Sequence, residues 1–91
     1  MSKPFILGQT VLYKLNEADA GAIKFRRERE EPVAGRRGNT ASEGQQYPAH
    51  VVAVFDRAYA NLQVHLDGDD QYWATSRQWG EDPGTCQETS F

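Results

Sequence analysis

Cysteine is almost absent, with Cys86 the one thiol in 91 residues. An internal disulfide is therefore excluded. So is a structural zinc site, which needs four ligands where this chain offers one thiol and two distant imidazoles, His50 and His65. Neither histidine stands in a pattern with Ser, Cys or carboxylate that would make it half of a catalytic pair. The longest uninterrupted apolar run is Val51 to Phe55, far short of the roughly 20 residues of a membrane-spanning helix. The apolar run near Met1 is too short for a secretory signal, which points to a soluble protein of a reducing cytoplasm. No glycine-rich segment has phosphate-loop spacing, because Gly35 and Gly38 flank two arginines but precede no helix signal. Asp67, Asp69 and Asp70 crowd one turn, yet Gln78 stands where a calcium loop begun at Asp67 would place its glutamate. These absences predict no metal, no cofactor and no enzyme.

What is present fits one small domain spanning residues 1–91. Hydrophobic residues make up 38% of the chain, against about 45–50% (glycine included) in an average globular composition, so part of the chain is expected to be loop. The net charge of −3 conceals a segregation. Residues 21–37 carry six basic side chains against three acidic ones, whereas from residue 56 onward seven acidic face two basic. Such asymmetry either steers a partner or neutralises itself across the surface, and the second is the more common case.

Along the chain, Gly8–Leu15 reads as a first strand, with Val11, Tyr13 and Leu15 on one face. Asn16 followed by Asp19 is a capping signal, so a helix is expected from there to Glu30 or Glu31, where Pro32 stops it. Leu15, Ala18, Ala22 and Phe25, with Ile23 alongside, form its expected buried stripe, and Lys24, Arg26, Arg27 and Arg29 its outward face. Residues 35–46 have a loop composition. Tyr47–Phe55, apolar on both alternating faces, reads as the central strand, with His50 on the face of Val52 and Val54. After a polar break at 56–61, Leu62, Val64 and Leu66 alternate with Gln63, His65 and Asp67. A hairpin turn at Asp67–Asp70, with positive φ at Gly68, returns the chain along Gln71–Ser76. From about Gly80 a tail without strand signal follows, with Cys86 as a loop thiol.

Short strands joined by hairpins, with one helix inserted after the first, predict a mainly β (α+β) fold, a small SH3-like antiparallel barrel. The candidate binding residues are the basic Arg26, Arg27, Arg29, Arg36 and Arg37 and the aromatic Tyr47, Tyr72, Trp73 and Trp79. Aromatics beyond what a small core holds can form a recognition patch. The same residues would suit a nucleic-acid groove, but a sequence pI near 5.3 argues against that partner.

Two stretches, Gly8–Ala20 and Val64–Ser76, together with Gly44–Phe55 and its Tyr47-Pro48 pair, resemble a group of small uncharacterised proteins encoded by tailed bacteriophages and prophages. Relatives in that group end in an aromatic-rich segment after Gly-Thr, where this chain has Gly84-Thr85 followed by Cys86–Phe91. The resemblance implies a phage origin and a host-cytoplasm setting, and supplies no catalytic residue. Together with the missing catalytic groups it leads to an expected protein-binding accessory role on a host or phage partner. A minor virion or assembly component, and a nucleic-acid or small-ligand binding barrel, are the alternatives.

Overall fold

In a computed structural model the protein is described over residues 4–29, 39–56 and 58–89. Strand β1 (Thr10–Lys14) leads into helix α1 (Glu17–Arg29), followed by β2 (Gln46–Phe55), β3 (Tyr59–His65), β4 (Gln71–Arg77) and β5 (Cys86–Glu88). The strands form a single antiparallel sheet in the order β4-β3-β2-β1-β5, so β2 is central, as its valine-rich sequence predicts.

Alternation sets the inner face. Val11, Tyr13 and Leu15, Ala49 and Val51, then Ala60, Leu62, Val64 and Leu66, with Ala74 and Cys86, are buried together with Phe5 and the helix residue Ile23. The opposite face carries Pro48, His50, Val52 and Trp73, all exposed. The expectation that both faces of β2 are buried is corrected, because α1 covers only one side of the sheet.

Two irregularities bend it. The β2–β3 register shifts between Val51 and Ala53, and the β3–β4 register between Ala60 and Leu62. An extra residue in one strand swings the following side chains to the other face and increases the local twist. On β2 this sends Val54, opposite Ala60, inward, so His50 shares its face with Val52 and not with Val54. On β4, Ser76 takes a φ of 56° while its amide donates to Asn61 Oδ1 at 2.8 Å, and Arg77, opposite Ala60, reaches the inner side.

Curvature brings Trp79, just past β4, into a parallel bridge with Cys86 of β5. It does not close the sheet, so the expected barrel is corrected to an open, curled five-stranded sheet with one helix.

The helix begins as its sequence dictates. Asn16 Oδ1 accepts the Asp19 amide at 2.7 Å, and Asp19 Oδ2 accepts the Asn16 amide at 2.9 Å, a reciprocal capping box. Its buried stripe is not the expected one: Ala18 and Ala22 are exposed and Phe25 is 60% exposed, while Asp19 and Ile23 face the sheet. Apolar periodicity misplaced the stripe by one residue because a carboxylate occupies the position that a core side chain would usually take. The helix stop at Pro32 lies outside the described residues.

Three further expectations change. Strand β3 starts at Tyr59, inside the polar break expected at 56–61, with Asp56 turning at φ 51° before it. Gly68 has no positive φ; residues 66–70 form a longer connection between His65 and Gln71. The tail forms β5 along β1, pairing Tyr13 with Cys86. Cys86 is thus a buried core residue, its thiol pushed up to about 12 by desolvation, as a small apolar filler behaves.

The turn into β5 makes its own demand on sequence. Gly84 sits at φ +90°, and a Cβ there would lie 2.8 Å from Asn16 Nδ2. Asn16 is held by its capping bond, so it cannot swing away freely. Gly84→Ala is expected to lower stability by about 1–3 kcal/mol, from left-handed strain plus the clash. Urea denaturation at neutral pH measures this, and a variant as stable as the parent would contradict the turn geometry.

Candidate functional site

Three clusters gather the chemistry-bearing side chains. The innermost centres on Asp19, fully buried. Its Oδ2 accepts the Asn16 amide and the Tyr13 hydroxyl, and its Oδ1 accepts the Tyr72 hydroxyl at 2.9 Å and Arg77 Nη2 at 3.0 Å. Strands β1 and β4 stand three positions apart in the sheet, about 14 Å if it were flat. Only a curled sheet lets Tyr13 and Tyr72 reach one carboxylate. Arg77 also lies over the Tyr13 ring, its guanidinium carbon 5.6 Å from the centroid. Burial, and then the hydrogen bond to Asp19, raise the Tyr13 and Tyr72 hydroxyls above the usual phenol range. Both lone-pair sets of the carboxylate are occupied by groups of the chain itself. The cluster ties helix to sheet.

A second cluster joins α1 to the β3–β4 connection. Asp70 accepts Arg26 Nη2 at 2.6 Å on Oδ2 and is gripped by Arg27 through Nε (2.9 Å, Oδ2) and Nη2 (2.8 Å, Oδ1). Arg26 Nη1 also donates to the Gln71 carbonyl and Arg27 Nη1 to that of Asn39. The segregated charges of the sequence therefore meet within the molecule. The Arg27 bond, then that of Arg26, holds the Asp70 carboxyl down at about 2, against the opposing effect of burial. Arg26 and Arg27 were expected to point outward, but they fold toward β4 because Asp70 lies within their reach.

The third cluster is the open sheet face. Register places Trp73 opposite Gln63 and Gln63 opposite His50, with Gln71 opposite His65 in the next row. Trp73 is 59% exposed. His50 Nδ1 and His65 Nε2 are 2.8 Å apart, and Gln71 Nε2 is 3.3 Å from His65 Nδ1.

The candidate residues from the sequence do not form one patch. Tyr72 belongs to the Asp19 cluster, and Trp79 is stacked on Phe5 at 4.3 Å on the core edge. Tyr47 is half-buried beside the core, its hydroxyl donating to Gln45 Oε1 at 2.7 Å. Arg29 lies over the exposed Phe25 ring at 5.3 Å, while Arg36 and Arg37 fall outside the described residues. Trp73 alone of the aromatic candidates stands well out in solvent. Sequence reasoning took Asp19 for a cap and His50 and His65 for separate strand residues. The signal for the first was a carboxylate four residues before Ile23. The second required the strand register. No protein-family model, curated protein or solved structure matches the chain.

Proposed function

We propose that the protein is a non-catalytic binding module, an accessory protein of a tailed phage acting in the host cytoplasm, that docks on a host or phage protein through strand β4 and the sheet face beside it. Trp73 is the observation that carries this reading: a large indole left mostly in water on a strand flanked, among the described residues, by β3 alone. Burying a large apolar side chain on binding yields about 1.5–3 kcal/mol, and tryptophan is over-represented among the residues that dominate interfaces. A sheet-edge strand also offers backbone donors and acceptors to an added strand. Gln71 and Thr75, exposed on either side of Trp73, bring no charge to oppose such pairing. Arg26 and Arg27 take a supporting part, since both are bound to Asp70. The module is, in this reading, an opened variant of SH3-like topology, which the strand order and the return of Trp79 to Cys86 support.

The test is affinity capture from infected and uninfected host cells with the intact chain and Trp73→Ser. An exposed substitution should change stability by no more than about 0.5 kcal/mol, so loss of one specific partner at unchanged Tm is the expected result. Retention of that partner by Trp73→Ser would rule out docking at β4.

A further inference from the structure

We propose that His50 and His65 form a two-imidazole site for a late first-row divalent cation, Cu2+ foremost, on the open face of the sheet. The two rings come from adjacent strands in fixed register, Ala49 opposite Val64, so the pair is diagonal across β2 and β3. Their nitrogens converge to 2.8 Å with the rings almost perpendicular, at 84°. His50 is exposed and His65 half-buried, so a hydrated ion has direct access.

The imidazole pair suits an ion that prefers nitrogen ligands. Two metal–nitrogen bonds of about 2.0–2.1 Å at a right angle set their nitrogens about 2.9 Å apart, whereas a tetrahedral angle sets them about 3.3 Å apart. The observed 2.8 Å is the hydrogen bond that now joins the rings and shows that the two nitrogens approach as closely as two ligands of one ion do, while Cu2+ heads the affinity order of the divalent first-row ions for such ligands. The metal sits off the line joining the nitrogens, so both rings turn about χ2, a broad torsion in histidine. The hydrogen now shared between the rings must leave that line. With Gln71 Nε2 donating to His65 Nδ1, the hydrogen lies on His65 Nε2. On metal binding it moves to Nδ1, and the Gln71 amide turns to present Oε1 as its acceptor. Gln71 then orients the ligating ring from its far side, as the outer partner of a metal-bound imidazole commonly does. Among the described residues no group of three His, Cys, Asp or Glu gathers to hold a metal, so water or a donor from a docked molecule completes the coordination.

The experiment is a titration of the intact chain with CuCl2, followed by the paramagnetic broadening of amide NMR signals. It is repeated with His50→Gln and with His65→Gln, and with ZnCl2 read by calorimetry. The amides around His50, His65 and Gln71 are expected to broaden first. Each single variant is expected to raise the midpoint by about tenfold or more, on the scale by which even outer-shell partners alter metal affinity. Because both side chains lie on the solvent side, the variants keep the parent spectrum elsewhere, and either one suffices as a test. Broadening confined to the amino-terminal residues, or a midpoint unchanged in both variants, would overturn the site. Zinc binding at least as tight as copper would overturn the preference for Cu2+.

Discussion

Replacing Asp19 by alanine is expected to destabilise the protein by about 3–5 kcal/mol, the range for removing one partner of a buried ion pair. A domain of 91 residues has a total stability of roughly 5–14 kcal/mol, so this substitution removes a large share of it. Arg77, its side chain 22% exposed, keeps its charge with no counter-ion, and its Nε already lacks a hydrogen-bond partner. The Tyr13 and Tyr72 hydroxyls lose their acceptors. The capping box loses its reciprocal half. Tyr13→Phe, which removes a single donor, should cost about 1 kcal/mol or somewhat more, since the acceptor is charged. Urea denaturation of both variants at pH 7 makes the comparison. A loss below about 1 kcal/mol in Asp19→Ala would mean that the carboxylate is not held as described.

Alkaline pH probes the same cluster from the other side. The folded Tyr13 and Tyr72 hydroxyls have pKa values raised above the unfolded value, chiefly by burial. A group raised in the folded state binds its proton more tightly there, so its contribution is full below the unfolded pKa near 10 and declines as pH rises beyond it. Ultraviolet titration should show Tyr13 and Tyr72 ionising only above the ordinary phenol range. Ionisation of those two should coincide with unfolding.

The strands with strict alternation were legible. Val11, Tyr13 and Leu15, and Leu62, Val64 and Leu66, each declared a buried face, and both triads are in the core. The Asn16 cap was equally plain, because capping depends on residues three apart. What failed depends on distant partners. Cys86–Glu88 is only three residues long and becomes a strand because β1 offers it an edge. The sheet stays open where a closed barrel was expected, since the segment after β4 meets β5 only at the isolated Trp79–Cys86 bridge and forms no ladder along it. The helix stripe was misread because Asp19 is polar, and no local pattern announces that two tyrosines and an arginine from remote strands will satisfy it.

The candidate surface was legible in residue type more than in arrangement. Arginines and aromatics were the candidate groups, and charge pairing and core packing divide them. Trp73 is left in solvent by its outward position on β4, opposite Gln63. The histidine pair depends on a diagonal relation between β2 and β3, which composition and spacing do not encode.

Asp70→Asn is expected to lower stability by about 2 kcal/mol at neutral pH, scaled from the depressed carboxyl pKa and reduced for the partial exposure of Arg26. The folded pKa of about 2 lies below the ordinary carboxyl value of 3.8. A depressed carboxyl contributes fully above its unfolded pKa and loses that contribution as pH falls through the folded one. Stability of the parent should therefore decline between about pH 4 and pH 2, and this part of the decline should be absent in Asp70→Asn. Arg27→Ala should be costlier than Arg26→Ala, because Arg27 grips both carboxylate oxygens and its side chain is 12% exposed against 31%. Thermal melts from pH 2 to pH 7 on the four proteins measure the effect, and parallel profiles for parent and Asp70→Asn would remove the Asp70 pair as its source. The same melts decide how arginine variants are read in binding experiments. Partner loss that follows Tm in Arg26→Ala and Arg27→Ala reports a loosened helix, whereas partner loss at unchanged Tm reports contact with the partner itself.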